Sequence, residues 1–534
     1  MTAKLKWDYL IIGAGSAGCA LADGLVKSGR TVLILEAGGS DCSPFIKIPA
    51  GVFHGCKKYD WGYHAQPDLS RHGIEERWLR GRVLGGSSSI NGTKYMRAAA
   101  ADFDRWSALC GGVGGWSANE VMPIFRDLET SDQSGALRGQ SGPLYVRTVK
   151  RPHAISQAFI KSACAVGYPF NSDYNGHTQD GVAYTQFSQH RGFRCSAADA
   201  FLKPHLGRKN LRLLLHALVQ KIEVVNGRAV AVAFRHRGTL HRETAREIIL
   251  CAGAINSPKL LMLSGIGGRE ELKSYGIDVT IDLPGVGHNF KDHPFLSLTY
   301  RTRIPTYNLT EGFLQKLSIA AKFVLHGEGP ISNLFEVVGF LKSSESEPIP
   351  DIRLTFYALG YLKTPDHRYR LAPYSAVMVS LQKSYPVSSG QIRLRSKNPN
   401  DPPLIECPLL HAQADVDTMV RGIHTIRRIM RTEPIASLVE EETVPGSQTQ
   451  DGAALEPFVR NHTAIPYHSI GSCRMGIGGD AVVDPDLRVW GMENLWIADA
   501  SIMPDHISAD TNATCLMIGA KLGIQFSNKL DYPS

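Results

Sequence analysis

The chain opens with a short apolar run, Asp8-Tyr9-Leu10-Ile11-Ile12, which predicts a buried strand. Gly13-Ala14-Gly15-Ser16-Ala17-Gly18 follows, then an apolar-periodic stretch to about Ser28 and a second apolar run from Thr31 to Leu35, ending at Glu36. This order predicts a strand–helix–strand unit of about 30 residues. Further on, Leu211–Leu215, Lys221–Val225 and Ala229–Phe234 read as short strands, with Asn226-Gly227 as a hairpin turn. They predict a β-meander inserted in the first domain. Glu247-Ile248-Ile249-Leu250-Cys251-Ala252-Gly253 reads as another buried strand, predicted to return to a parallel sheet. From about 300 to 455 the pattern mixes strand and helix periods, and Thr418–Arg431 predicts an amphipathic helix. No internal repeat is visible, and the low-complexity stretches are short Ser/Pro-rich loops such as Ser343–Pro350.

The expected fold class is α/β: a Rossmann-like dinucleotide domain carrying the meander, plus an α+β cap domain built on a β-sheet with helices. The dinucleotide domain is expected from residues 1–155, 195–299 and 456–534, and the substrate-binding cap mainly from 300–455.

The glycine motif adds chemistry. Gly13 permits the tight turn, Gly15 lets backbone approach a pyrophosphate, and Gly18 lets the helix pack close to the strand. The helix N-terminus then presents free N–H groups to phosphate. Glu36 lies 18 positions beyond Gly18, where a carboxylate accepts from the ribose hydroxyls of an adenosine. A second glycine loop, Gly81-Arg82-Val83-Leu84-Gly85-Gly86-Ser87-Ser88-Ser89-Ile90-Asn91-Gly92, offers backbone N–H groups to an anion or a flat ring.

Composition narrows the class. The chain has 534 residues, 43% hydrophobic and 20% charged, which is ordinary globular usage. Lys and Arg total 58 against 50 Asp and Glu, a net +8, with no run of five basic residues, so a nucleic-acid partner is not expected. The charge-free stretch Tyr9–Ala22 is too short and glycine-rich for a membrane span or a signal peptide. The ten cysteines form no C-x-x-C pair. Neither a disulfide framework nor a metal site is expected, and a reducing, cytoplasmic setting is.

Four blocks together resemble the glucose–methanol–choline (GMC) family of FAD-dependent oxidoreductases, including its alcohol and choline dehydrogenases and its aryl-alcohol and pyridoxine oxidases. They are the N-terminal motif, the loop at 81–97, the segment Gly253-Ala254-Ile255-Asn256-Ser257-Pro258 continuing to Gly267, and the C-terminal segment from Tyr467. The resemblance implies FAD at Gly13, Gly15, Ser16, Ala17, Gly18, Glu36, Ala37, Arg82, Gly85, Gly86, Ser87, Asn91, Gly92, Val219, Asp499, Ala500, Thr511, Asn512 and Ala513. It implies a helix from about Cys515 to Phe526, capped by Thr511 or Asn512, whose N-terminus stabilises the reduced flavin. Some relatives attach the flavin through a histidine in the second glycine loop. Ile90 stands there, so non-covalent FAD is expected.

Tyr467-His468-Ser469-Ile470-Gly471-Ser472 resembles the family's catalytic-histidine block. Alcohol oxidation removes a hydride from carbon and a proton from oxygen, and imidazole suits the second task near neutral pH. One departure stands out. Relatives usually carry Asn or His where this chain has Asp510. Asp510 either shares a proton with His468, or faces a cationic or basic-nitrogen substrate, or turns away and leaves His506 to make the second contact. The expected function is oxidation of a small alcohol to an aldehyde or ketone, with oxygen or another electron acceptor. A hydroxynitrile lyase of the same family, or a flavin-binding protein without catalysis, are the rival readings. The alcohol itself and the oligomeric state are not legible.

Overall fold

The computed structural model describes residues 6–51, 56–309, 312–363, 369–446, 448–450 and 452–528. The last six residues of the expected 456–534 segment thus lie outside it. Strand β1 (Tyr9–Ile12), helix α1 (Ser16–Lys27) and strand β2 (Val32–Leu35) form the expected unit. They belong to a five-stranded parallel sheet in the order Leu211–Leu214, β2, β1, Glu247–Leu250, Leu495–Ile497. The residues of β1 and β2 are buried on both faces, which is why they read as unbroken apolar runs. The meander is present as Ala217–Val225, Arg228–His236 and Thr239–Glu243, turning at Asn226 and Gly227, both with positive φ, but the first run expected in it, Leu211–Leu215, instead forms the edge strand Leu211–Leu214 of the parallel sheet, paired with β2. It docks beside the nucleotide motif, where Ala217 N donates to Glu36 O at 2.8 Å. Helix α2 (Gly253–Leu263) follows the fourth strand, and the C-terminal helix α3 (Thr511–Asn528) lies against α1.

The second domain is a six-stranded antiparallel sheet. Its order is Val439–Val444, Phe295–Thr302, Ala376–Lys383, Ile352–Tyr357, Val337–Leu341 and Gly181–Tyr184. The boundary expected at residue 300 falls inside the second of these strands, and the last comes from well before it. The helix expected over Thr418–Arg431 spans Gln413–Met430, one turn longer at its start.

Two strands of this sheet show why its faces differ. Leu381 packs against Gly422 of the helix Gln413–Met430, and Phe356 stacks on Phe159 at 4.5 Å. The alternate positions, Arg353, Thr355 and Tyr357 on one strand and Met378, Ser380 and Gln382 on the other, point the opposite way, as the two-residue period requires. That face looks onto the nucleotide domain.

The contact between α1 and α3 joins the two ends of the chain. A Cβ on Gly519 would stand 2.1 Å from Ala17 O, whereas one on Gly24 would meet Gly523 Cα at an ordinary 3.5 Å. The Gly519→Ala variant is therefore expected to force the helices apart and to cost about 1–3 kcal/mol of stability, while Gly24→Ala is tolerated. Denaturant titrations of both variants with saturating cofactor check this. Equal midpoints for the two would rule out the close packing as the cause.

Candidate active site

The first half of the site is a cradle of backbone. Gly13 has φ +105°, and a Cβ there would lie 2.5 Å from Cys251 O. At Gly18 a Cβ would lie 2.1 Å from Gly13 O. α1 starts after Gly15 with no side-chain cap and no acidic residue in its first turn, so its N-terminal N–H groups and dipole face an open turn that begins at Gly15, Ser16 and Ala17. The second glycine loop crosses over this turn. Gly85 N donates to Ala14 O at 2.8 Å, and a Cβ on Gly86 would reach within 2.8 Å of Gly15 Cα. Only glycine allows two backbones to approach this closely.

Glu36 is buried at the end of β2 and accepts from Ala14 N at 2.9 Å and Gly38 N at 2.7 Å. Burial raises its carboxyl to about 6, against the pull of those two N–H groups. Ala37 is half-buried beside it, and Val219 borders an irregularity in the meander that docks here. Arg82 and Ser87 are exposed, the guanidinium of Arg82 lying over the Trp61 ring at 4.8 Å. Asn91 is tied to its own loop, accepting from Thr93 N and Arg194. Gly92 leaves room for Phe335, whose ring a Cβ would touch at 2.8 Å. Asp499 accepts from Gly253 N, Ser257 Oγ and Ser501 N, and so locks the strand end before Ala500 to the start of α2. α3 begins at Thr511, one turn before the expected Cys515, so Thr511 and Asn512 both sit within its first turn and neither caps it. Asn512 Oδ1 accepts from Ser16 Oγ at 2.7 Å, and Ala513 is buried behind. An uncapped helix start, a second glycine loop in contact with it and a ribose-type carboxylate together fit a dinucleotide such as FAD.

The second half of the site is a buried polar cluster where four segments meet. His468 Nε2 lies 3.1 Å from Asp510 Oδ1. The same Oδ1 accepts from the Arg353 guanidinium, and Oδ2 lies 3.3 Å from Lys94 Nζ. Arg353 also donates to Gln382 Oε1 at 2.6 Å, which fixes the amide orientation. Gln382 Nε2 must then donate towards His293 Nδ1 at 2.5 Å and His468 Nδ1 at 3.2 Å. With Nδ1 of each ring as acceptor, the protons reside on Nε2. His293 Nε2 accordingly faces the carbonyls of Ser384 and Ile507, both at 3.0 Å, and His468 Nε2 faces the Asp510 carboxylate. From below, Asp292 accepts from His468 N at 3.0 Å and from Ser469 Oγ, which fixes the backbone of the histidine block.

Electrostatics follow from burial. Desolvation drives His468 down to about 3, partly opposed by Asp510 and reinforced by Arg353 and Lys94. Burial alone would raise Asp510, but Arg353 and Lys94 outweigh it and hold the carboxyl well below the usual range. Burial also lowers Lys94, with Asp510 opposing. At neutral pH the cluster thus holds a neutral imidazole against an ionised carboxylate.

Of the three expected catalytic residues, the structure brings His468 and Asp510 together. His506 is fully buried behind them, its ring 3.6 Å from that of His293. Sequence reasoning missed Lys94, Arg353, Gln382, His293 and Asp292. The signal for two of them was present: Arg353 and Gln382 are polar positions at period two inside otherwise apolar strands. Among the described residues, no group of three or more His, Cys, Asp or Glu is placed to hold a metal ion, and no helix is long and apolar enough to cross a membrane.

A dinucleotide cradle joined to a buried imidazole–carboxylate pair defines a flavin-dependent oxidoreductase site. The chain belongs to the GMC oxidoreductase family: residues 7–295 match its N-terminal domain and 386–519 its C-terminal domain. It is 37% identical to the mitochondrial choline dehydrogenase of Homo sapiens, over 97% of this chain and 89% of that one. Identity to the oxygen-dependent choline dehydrogenase of Sinorhizobium fredii is 36%, covering 97% and 95%. Among solved structures, pyridoxine 4-oxidase from "Mesorbium loti" superposes with a TM-score of 0.90 at 28% identity, covering 98% of this chain and all of that one. The protein is therefore an FAD-dependent oxidoreductase of CH–OH donors, and no finding favours the lyase reading.

The buried neutral His468 has a measurable consequence. Its folded value near 3 lies below the usual value of 6.5, so the folded protein binds fewer protons than the unfolded chain between those limits. Its contribution to stability is complete above about pH 6.5 and is lost as the pH falls towards 3. The His468→Gln variant is expected to lose stability less steeply than wild type between pH 6.5 and 4, measured by denaturant midpoints. Parallel slopes would sink the assignment.

Proposed function

We propose that the protein oxidises a small alcohol to the aldehyde or ketone, with His468 and Asp510 acting as one unit that takes up the hydroxyl proton. The observation that carries this is the His468 Nε2–Asp510 Oδ1 contact of 3.1 Å, which already holds a proton, at the start of the helix that also reaches the cofactor cradle through Asn512. FAD, when bound, supplies the hydride-accepting chemistry. The chain's own residues do the rest. The glycine turns at Gly13–Gly18 and Gly85–Gly86 hold the dinucleotide, Asp292 and Gln382 fix His468, and Arg353 and Lys94 keep Asp510 ionised.

A substrate hydroxyl entering beside Nε2 and Oδ1 meets a weakly basic pair. That suffices, because the hydroxyl becomes strongly acidic as hydride leaves its carbon. Nε2 already carries a proton and Nδ1 accepts from Gln382, so the pair takes up the hydroxyl proton on Asp510, leaving a neutral carboxyl hydrogen-bonded to a neutral imidazole. Ile90, at the position where some relatives carry the attaching histidine, supports non-covalent FAD. The described cysteines are free thiols, and we place the enzyme in the cytoplasm on that ground.

Anaerobic mixing with a panel of alcohols tests the reading. Loss of the flavin absorbance near 450 nm marks an oxidoreductase, whereas a lyase or a mere flavin carrier leaves it oxidised. His468→Ala is expected to keep FAD and lower the reduction rate by about 10²–10⁴-fold. Asp510→Asn is expected to shift the pH profile of reduction, since it removes one half of the pair. An unchanged rate in the first and an unchanged profile in the second would refute the assignment. Acid precipitation is expected to release yellow FAD into the supernatant, and colour retained in the pellet would contradict non-covalent binding.

A further inference from the structure

The buried charges around the site do not balance in one place. Nearby ion clusters pair off: Arg97 and Arg138 with Glu129 and Asp173, Arg105 and Lys291 with Asp102 and Asp505, Arg80 with Asp292. Lys94 and Arg353 instead share the single carboxylate of Asp510. His468 is neutral, so the cluster carries one excess positive charge, and neither cation has another acidic partner among the described residues. Arg353 is sealed in, with 1% of its side chain exposed and donors turned also to Gln382 and Ser508 O. Lys94, Asp510 and His468 keep 14, 12 and 11% of their side chains open. Of the two cations on Asp510, Lys94 is therefore the open one, beside the equally open His468 and Asp510.

The wall beside it is apolar. Tyr357, Leu359 and Met378 form a small hydrophobic cluster apart from the main core, with Leu334, Phe335, Tyr307 and Tyr361 packed against it. Lys94 Nζ lies 5.5 Å from the centroid of the Phe335 ring, and Phe335 meets Tyr357 edge-on at 5.1 Å. An ammonium beside the Phe335 ring whose one acidic partner among the described residues is shared with Arg353 is incompletely compensated. A bound anion completes it, and a second cation makes it worse.

Building on the oxidation proposed above, we propose that this site selects alcohols carrying a carboxylate on an apolar or aromatic body, with Lys94 as the group that binds the carboxylate. Oxidation of the alcohol carbon leaves the carboxylate unchanged. The same charge disfavours a trimethylammonium alcohol such as choline, although choline is named in the relatives.

The test uses the FAD-loaded enzyme and three probes, 4-(hydroxymethyl)benzoate, benzyl alcohol and choline, with flavin reduction followed after anaerobic mixing. The carboxylate is expected to bind at least tenfold more tightly than benzyl alcohol, as a charge-assisted hydrogen bond gives about tenfold or more, and choline more weakly than either. Lys94→Gln is expected to erase the carboxylate's advantage while Lys94→Arg retains part of it. If Lys94→Gln slows the charged and neutral alcohols equally, the charge serves proton or hydride transfer and the proposal falls. It falls too if choline outperforms both. Should the variants lose FAD, inhibition of the wild type decides: benzoate is expected to compete better than benzyltrimethylammonium, and the reverse order overturns the proposal. A flavin reduced by benzyl alcohol without preference for the carboxylate defeats this inference alone. A flavin that no alcohol reduces defeats the oxidation reading beneath it.

Discussion

The carboxylate of Asp510 is the point on which the two domains agree. It begins the C-terminal helix of the nucleotide domain, yet its main counter-charge, Arg353, comes from the middle of the cap sheet. A carboxylate taken out of water is costly unless it is paired, and an arginine with 1% of its side chain exposed is equally so. Each therefore requires the other. Docking the cap sheet one residue out of register would turn Arg353, Thr355 and Tyr357 away and bring Leu354 and Phe356 to the interface. Arg353 would then be bare, and Asp510 would keep only Lys94 of its two cations. The ion pair thus specifies the arrangement of the domains, and the imidazole between them inherits its position.

The nucleotide half was legible because its signals are local. Glycines at fixed offsets, short unbroken apolar runs and an acidic residue at the end of the second strand all lie within Asp8–Glu36. The histidine block was legible through its resemblance to a family. What stayed hidden was the company these residues keep. Arg353 lies 157 positions before Asp510, and Gln382 86 before His468, and neither spacing carries a local pattern. The cap sheet likewise recruits Gly181–Tyr184 across a long gap, so its edge could not be read from the 300–455 stretch. Period-two polar positions inside apolar strands were the one clue. Alone they cannot tell a solvent-facing strand from one facing a site.

Kinship and local chemistry give different kinds of information here. The family match covers residues 7–295 and 386–519, the ranges that hold the cradle, the meander and His468. Asp510 brings with it a requirement for cationic partners, met by Arg353 and Lys94. The relationship establishes the reaction class, while the charge balance around His468 is read from the contacts of Asp510.

The close contact of α1 with α3 carries a consequence for biosynthesis. The central sheet takes its strands from the first, middle and last parts of the chain, and its fifth strand and the helix against α1 emerge among the last forty or so residues. A ribosome therefore finishes the entire cap before the last strand and the last helix of the platform exist. Until then the apolar flank of α1 and the open edge of Glu247–Leu250 have no cover, and the nascent chain passes through a long interval with an unpaired strand edge and bare apolar surface, the features that make a folding intermediate prone to aggregate.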